Sequence, residues 1–305
     1  LVGSEMCIRD SKEGGKAAEE SGNKFQNFGK VLKTVGVALG AVAAAAGAAA
    51  VKLGKEVVAA YADYEQLVGG IDTLFKDSSQ EIQRYAANAY KTAGLSANEY
   101  METVTGFSAS LIQSLGGDTE KAVKYADMAI TDMADNANKM GTDISSIQTA
   151  YQGFAKQNYT MLDNLKLGYG GTKQEMERLL ADSEKISGVK YDISSYADVV
   201  EAIHTMQESM DIAGTTAKEA EATISGSVSA LKSAVSNLIV GFGDADADME
   251  LLCSNMVDAF KTVVANITPV IENIVAALPT ALDALLTAVC LLYTSDAADD
   301  MQCVD

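Results

Sequence analysis

The chain has 305 residues, of which 42 are acidic and 23 are basic, so its formal net charge at neutral pH is −19. Affinity for nucleic acid comes mainly from Lys and Arg, which displace counterions condensed on phosphates, so this balance argues against tight nucleic-acid binding. With four Cys, one His, two Pro and no Trp, the composition argues against a disulfide framework and favours long helices made in a reducing cytosol.

The two ends of the chain differ from the rest. Residues 1–11 and 290–305 resemble translated sequencing adaptors and hold three of the four Cys, so they are left out of the fold prediction. The remainder has 22 basic and 36 acidic residues, a net charge of −14, and its lone Cys253 predicts neither a disulfide nor a zinc site. Position 1 is Leu rather than Met, and we expect an internal or N-terminally shortened piece of a longer protein.

Residues 12–60 form the first predicted segment, an apolar helix rich in Ala and Gly. Its uncharged run, residues 34–51, would span about 27 Å as a helix, which is barely enough to cross the hydrocarbon core of a bilayer. Small residues at regular spacing let helix backbones approach closely, so a packed helix pair is favoured over a membrane-inserting segment or a signal peptide. The predicted helix-packing glycines are Gly36, Gly40, Gly47 and Gly54.

Residues 61–242 carry a succession of helix start and stop signals with little sign of strands. Ser96 and Glu99 make a capping box that opens a predicted helix over residues 97–115, and the Gly pair at 116–117 ends it. Further N-caps are predicted at Asp118, Asp143, Thr172, and Ser194 or Ser195, for helices over 119–140, 144 to about 158, 173 to about 184, and to 212.

The predicted helix over residues 119–140 is amphipathic. Its apolar stripe consists of Ala122, Ala126, Ala129, Met133, Ala137 and Met140. We expect its charged residues, including Asp132 and Asp135, mostly on the opposite face, in solvent.

The longest regular pattern lies in residues 216–242, where apolar residues recur by three and four over almost four repeats. This near-heptad pattern predicts one continuous helix, capped by Thr216 and Glu219 and weakened at Gly226, that packs against another helix. The predicted packing residues are Ile224, Val228, Leu231, Val235 and Leu238.

Residues 243–289 contain two apolar units that begin at Pro269 and Pro279. Because Pro is tolerated in the first turn of a helix, we expect each to open a short amphipathic helix. Glu272 and Asp283 interrupt the apolar run and disfavour an ordinary transmembrane span.

His204 is the first candidate for chemistry. It lies on a predicted helix between Glu201 and Glu208, which could steady an imidazolium, but no second His and no paired Cys accompany it. A solvated histidine on a helix face is therefore favoured over a catalytic one, and the His-Glu-x-x-His pattern of metal peptidases is absent from the sequence.

The acidic residues 244–248 resemble the opening of a calcium loop. Met249 stands where that loop needs Gly, and Asn255 stands where a bidentate Glu should close it. An acidic helix start is the favoured interpretation, since carboxylates stabilise the positive end of a helix. The sequence therefore predicts no catalytic, cofactor-binding or metal-binding residue.

Residues 151–180 contain the most distinctive stretch. Its central motif is unlike a phosphate-binding loop, because Thr precedes Lys and no strand comes before it. The glycines instead predict a turn with positive φ that ends at an N-cap. The motif consists of Gly168, Tyr169, Gly170, Gly171, Thr172 and Lys173.

This stretch resembles the core signature of tail tape-measure proteins of long-tailed bacteriophages, and the segments from about residue 62 to 242 fit that family in order and character. The resemblance implies a non-enzymatic structural ruler and scaffold, around which the tail-tube protein polymerises with assembly chaperones and tail-tip proteins. It implies synthesis in the host cytoplasm, a place in the lumen of the virion tail tube, and a role in genome ejection with contact to the host membrane.

For the fold, we expect an all-α, extended or loosely packed helical bundle with long amphipathic helices and no single deep core. We also expect self-association and no cofactor. Two other functional classes stay open. One is a membrane-active, pore-forming helical protein, supported by residues 34–51, and the other is a fragment of a tail-associated cell-wall hydrolase.

Overall fold

Helices follow one another through the computed structural model, which describes residues 46–300 and the side chains of residues 53–278. The chain divides into two units, residues 1–55 and 56–305. The described α-helices are α1 (Ala46–Phe75), α2 (Ser79–Thr92), α3 (Ala97–Thr105), α4 (Ser108–Ser114), α5 (Thr119–Met140), α6 (Ile144–Phe154), α7 (Lys173–Ser187), α8 (Tyr196–Ser209), α9 (Thr215–Ala222), α10 (Ile224–Gly241) and α11 (Met249–Asp300). Short 3-10 helices lie at Lys76–Ser78 and Leu162–Leu165, and no strand occurs within this range, which confirms the all-α prediction.

The helix caps predicted at Ser96, Asp118, Asp143, Thr172 and Ser195 are present. The cap predicted at Thr216 is wrong, because that helix begins after Gly214 and the buried Thr216 hydroxyl has no hydrogen-bond partner among the described residues. The Ser96 hydroxyl accepts a hydrogen bond from the Glu99 N–H, and the Glu99 carboxylate accepts one from the Ser96 N–H at 2.8 Å. Asp118 accepts from the Lys121 N–H at 3.0 Å, and Gly141 ends the same helix with a left-handed φ of 62°. These starts and stops depend on neighbouring residues only, which is why short sequence patterns identify them.

The predicted helix over residues 97–115 is in fact two helices, α3 and α4. The break falls at Phe107, which has a φ of −136° and is only 2% exposed. Its ring meets the ring of Tyr196 edge to face, with 6.1 Å between centroids. The break buries an aromatic side chain against a distant helix, a contact that no local pattern reveals.

The continuous helix predicted over residues 216–242 is also wrong, because α9 ends at Ala222 and α10 begins at Ile224. Thr223 lies between them with extended backbone angles, and its hydroxyl accepts the Gly226 N–H at 3.0 Å as an N-cap. Gly226 lies so close to α9 that a Cβ there would be 2.3 Å from the Glu219 carbonyl oxygen. Gly226 was expected to weaken a single helix. It is instead the point at which α10 contacts α9.

The buried face of α10 differs from the predicted one. Ile224 and Val228 are 38% and 46% exposed, so they lie outside the buried face, whereas Leu238 is buried as predicted. The buried face is made instead mainly of small and polar residues, which anchor α10 near the start of α3. The Asn237 side-chain oxygen accepts the Ala97 N–H at 2.7 Å, and the Ser233 hydroxyl donates to the Gly94 carbonyl at 2.8 Å.

This face can be tested with two matched substitutions. Val228→Asp is expected to change the free energy of unfolding by about 0.5 kcal/mol or less, because its side chain is half exposed. Leu238→Asp is expected to cost about 3 kcal/mol, because it places a charge in a buried site. Urea unfolding followed by circular dichroism measures both, and a larger loss for Val228→Asp would contradict the observed face.

The core is deeper than the composition predicts. Large apolar side chains between Ile71 and Ile212 form one buried cluster to which α1 to α8 contribute, and many of them have no exposed surface. Three aromatic rings pack together inside it: the Tyr151 ring is tilted against that of Phe154, with 5.7 Å between centroids, and the Phe154 ring stacks on that of Tyr159, with 6.0 Å between centroids. The few large residues are concentrated in this part of the chain, so the average composition understates the core.

The last helix, α11, runs through both prolines without interruption, so the prediction that each opens its own helix is wrong. A proline inside a helix removes one backbone hydrogen bond, yet the backbone is helical on both sides of Pro269 and of Pro279. α11 packs along α10, and the Asn266 amide donates to the carbonyls of Glu221 and Thr223. Every residue from 270 to 278 is exposed.

Met249–Leu278 is also the one stretch of the described residues that is long and apolar enough to cross a membrane, with a mean hydropathy of 1.2. Only 6% of its apolar window is buried within the chain. Length and composition alone support this property.

Candidate functional site

The signature motif at residues 168–173 forms a tight turn that leads into α7. Gly168 has a positive φ of 87°, and Gly171 lies against the preceding loop, where a Cβ would be 2.2 Å from the Thr160 carbonyl oxygen. The Thr172 hydroxyl accepts the Glu175 N–H at 3.2 Å, as predicted for an N-cap. The glycines therefore serve a left-handed turn and a close backbone approach.

Side chains from α7 close over this turn. The Arg178 guanidinium lies 4.5 Å from the centroid of the Tyr169 ring and donates to the Gly168 carbonyl at 2.8 Å. The Tyr169 hydroxyl donates to Asp182 at 3.0 Å, and burial together with this carboxylate raises the pKa of Tyr169 to about 12. Lys173 is exposed and lies 3.8 Å from Glu177. Within the described chain, the motif is therefore held by side chains of α7.

A second polar site lies in the core, where His204 on α8 meets Asp132 on α5. The His204 Nδ1 atom lies 2.8 Å and 3.0 Å from the two carboxylate oxygens of Asp132. The Asp132 side chain is 2% exposed and that of His204 is 28% exposed. Glu208 approaches the other ring nitrogen at 3.4 Å. Both nitrogens therefore have a carboxylate partner, which holds the ring in place and favours its protonated form.

Asp135, one turn further along α5, is fully buried and holds a different element. Its carboxylate accepts the Gly214 N–H at 2.5 Å and the Thr216 N–H at 2.7 Å, so it caps the start of α9 from across the core. The adjacent Asn136, also fully buried, donates to the Leu165 carbonyl at 3.0 Å. Asp135 thus fixes the start of α9, and Asn136 fixes the loop at Leu165. Nonspecific apolar packing alone would not specify these positions.

The prediction that Asp132 and Asp135 lie on the solvent face of their helix is wrong. Asp132 follows Ala129 by three residues and so lies at the edge of the apolar stripe, but Asp135 follows Met133 by two and lies on the other side of the helix. Both are buried because other elements surround α5 between Ala129 and Asn136, which the spacing along one helix does not reveal. The other predicted neighbour, Glu201, accepts the Tyr125 hydroxyl at 2.7 Å.

The stability of the folded unit is expected to fall as the pH rises above 6.5, the ordinary pKa of His204. The hydrogen bond to Asp132 raises the pKa of His204 above its usual 6.5, so this stabilisation is complete below pH 6.5 and is lost as the pH rises through the folded value. Burial raises the pKa of Asp132 to about 6, which acts in the same direction at lower pH. Urea unfolding should show a decline on the order of 1 kcal/mol, and Asp132→Asn should flatten it. A profile that rises with pH would contradict the pairing.

The acidic segment before α11 serves a helix start, as predicted. Asp248 accepts the Leu251 N–H at 2.9 Å, and Asp244 accepts the Asp246 N–H at 3.0 Å. Among residues 53–278, no group of three His, Cys, Asp or Glu side chains is arranged to hold a metal ion.

Two of the predicted packing glycines, Gly36 and Gly40, lie outside the described residues. Gly47 and Gly54 lie in α1, and their packing partner stays a prediction. Leu231 and Val235 are half-buried on α10.

Comparison with known proteins yields no relative on which to base an identity. No protein-family model matches the chain, no curated protein matches it, and no solved structure matches it. The function therefore has to be argued from the residues and their geometry.

Proposed function

We propose that this chain is part of a tail tape-measure protein, a ruler and scaffold for the assembly of a bacteriophage tail tube. The observation that carries the proposal is the stretch from Tyr151 to Leu180, with its Gly168–Lys173 turn, which resembles the core signature of that family. In support of a structural role, the turn is bonded to its own helix through Thr172 and Arg178, and the two ring nitrogens of His204 both face carboxylates.

The length and character of α11 support a ruler. A helix extends linearly with residue number, so the part of α11 that precedes the adaptor-like end, residues 249–289, spans about 62 Å at 1.5 Å per residue. The net charge of −14 over residues 12–289 also suits a protein that fills a tube through which DNA must later pass, because an acidic surface repels phosphates. The proposed partners are the tail-tube protein, the assembly chaperones and the tail-tip proteins, in the lumen of the virion tail.

A length series tests this function. The intact gene would be expressed with the tail-tube and chaperone genes of the same phage, and tube lengths measured by negative-stain electron microscopy. Removal of 21 residues within α11 is expected to shorten the tubes by about 32 Å, and duplication of the same segment to lengthen them equally. A substitution of Ala276 by Ser in the same helix is the control and should leave tube length unchanged. Tubes whose length ignores both changes would contradict a ruler.

A membrane-active protein is the second candidate, favoured by the exposed apolar surface of Met249–Leu278. Glu272 lies within that stretch and would be costly in the hydrocarbon region. Leakage of dye from vesicles treated with the full chain would support this candidate, and its absence would weigh against it. The hydrolase alternative has no comparable observation among the described residues.

A further inference from the structure

Three polar side chains are fully buried in the region where α5 packs against α6 and α8. They are Asn136 on α5, Tyr151 on α6 and Gln207 on α8, and none of them has exposed surface. Bulk solvent therefore cannot satisfy their hydrogen-bonding groups. Each donor and acceptor of these side chains needs a partner inside the protein.

The two amides lie on facing parts of neighbouring helices. α5 and α8 run side by side in the same direction, because Tyr125 bonds Glu201 and, further along both helices, Asp132 bonds His204. The next turn of α5 carries one buried amide, and the next turn of α8 carries the other. Both amides therefore face the same part of the core.

The Tyr151 hydroxyl reaches this place from α6. The Gln207 Nε2 atom donates to it at 3.4 Å, which is long for a hydrogen bond and leaves room for a further partner. Burial, and next the Asp132 carboxylate, raise the pKa of Tyr151 well above its usual 10, so the hydroxyl keeps its proton. The influence of Asp132 also places this hydroxyl near the part of α5 that carries Asn136.

The hydrogen bonds of these three groups are incomplete within the described residues. The Asn136 Nδ2 atom donates to the Leu165 carbonyl at 3.0 Å, but its Oδ1 atom has no donor. The Gln207 Oε1 atom also has no donor. The Tyr151 hydroxyl accepts from Gln207, and its own O–H has no acceptor among the described groups. One donor and two acceptors thus remain unpaired, which is costly for buried groups.

We propose that Asn136, Tyr151 and Gln207 form a binding site for one internal water molecule. A water molecule accepts one hydrogen bond from the Tyr151 O–H and donates its two hydrogens to Asn136 Oδ1 and Gln207 Oε1. About three hydrogen bonds is the usual number for a buried water. A metal cation would use the two oxygens but leave the O–H unpaired, and an apolar molecule would leave all three groups unpaired. The inference is independent of the proposed tail function.

The number of internal waters in solution tests the site. Oxygen-17 relaxation dispersion on the full chain counts the water molecules that stay inside the protein. Gln207→Met replaces the amide with an apolar side chain of similar length, so this variant should hold one such water fewer than the wild type. Gln148→Met is the control, because the Gln148 amide donates directly to the Thr103 hydroxyl at 2.9 Å, and its count should equal that of the wild type.

A crystal structure of the wild type gives a second test, which does not depend on how any variant folds. The water oxygen should lie within about 3.2 Å of Asn136 Oδ1, Gln207 Oε1 and the Tyr151 hydroxyl. Amide oxygens more than about 6.4 Å apart, twice that distance, would overturn the proposal because one water could not bridge them. A protein group that donates directly to either oxygen would also overturn it, as would equal water counts for a folded Gln207→Met and the wild type.

Discussion

His204→Ala is expected to lower the free energy of unfolding by about 3 to 5 kcal/mol near pH 8, because it leaves a buried carboxylate without its partner. Asp132 has a side chain that is 2% exposed, and His204 is its close partner at 2.8 Å. The loss should shrink near pH 5, because the pKa of Asp132 is raised to about 6 and the unpaired carboxyl can take up a proton. Urea unfolding at both pH values measures the difference.

The control for this experiment is Glu208→Gln. Glu208 also faces the His204 ring, but its side chain is 63% exposed, so its removal should cost less than about 1 kcal/mol. The double variant Asp132→Asn with His204→Gln should be less damaging than His204→Ala, since it removes the charge and its partner together. If His204→Ala and Glu208→Gln lowered the free energy of unfolding equally, the buried pair of His204 and Asp132 would contribute no more stability than an exposed pair.

Gly171→Ala is expected to destabilise the folded unit by about 2 to 4 kcal/mol, because the new methyl group would meet backbone that cannot move away alone. A Cβ at this position would be 2.2 Å from the Thr160 carbonyl oxygen. The loop that carries Thr160 would have to shift, and with it the contact between the turn and the core. Thermal and urea unfolding measure the cost.

Gly170→Ala is the matched control, one residue away in the same turn. A Cβ there would approach only the Glu175 side chain, at an ordinary 3.5 Å, so the expected change is within about 1 kcal/mol. If both alanine variants melted like the wild type, the close approach of Gly171 to the Thr160 backbone would not be needed for stability.

The sequence predicts the local features of this fold well and the distant ones poorly. The caps at Ser96, Asp118 and Thr172 need only a side chain and a backbone N–H a few residues away, so their patterns are visible in a short window. The break at Phe107 depends on Tyr196, which is far away along the chain. No window of ordinary length contains both residues.

The polar residues of the core illustrate the same limit. A charged residue within a helix is usually solvated, and this average rule misplaced Asp132, whose partner His204 lies 72 residues further on. The rule also hid Asp135, which caps a helix that begins at Thr215. Buried polar pairs are visible only when both partners are known to meet, which is information about tertiary structure.

The way in which α10 is attached has a mechanical consequence. Ser227, Ala230 and Ala234 bury little apolar surface, and the hydrogen bonds of Ser233 and Asn237 are among the few specific links to the rest of the unit. A pulling force on α11 acts first on the contacts between α10 and the rest of the unit. We therefore expect α10 and α11 to detach while the core around Tyr151 stays folded. Amide exchange should reveal the same order without force, with α10 losing its protection before α5.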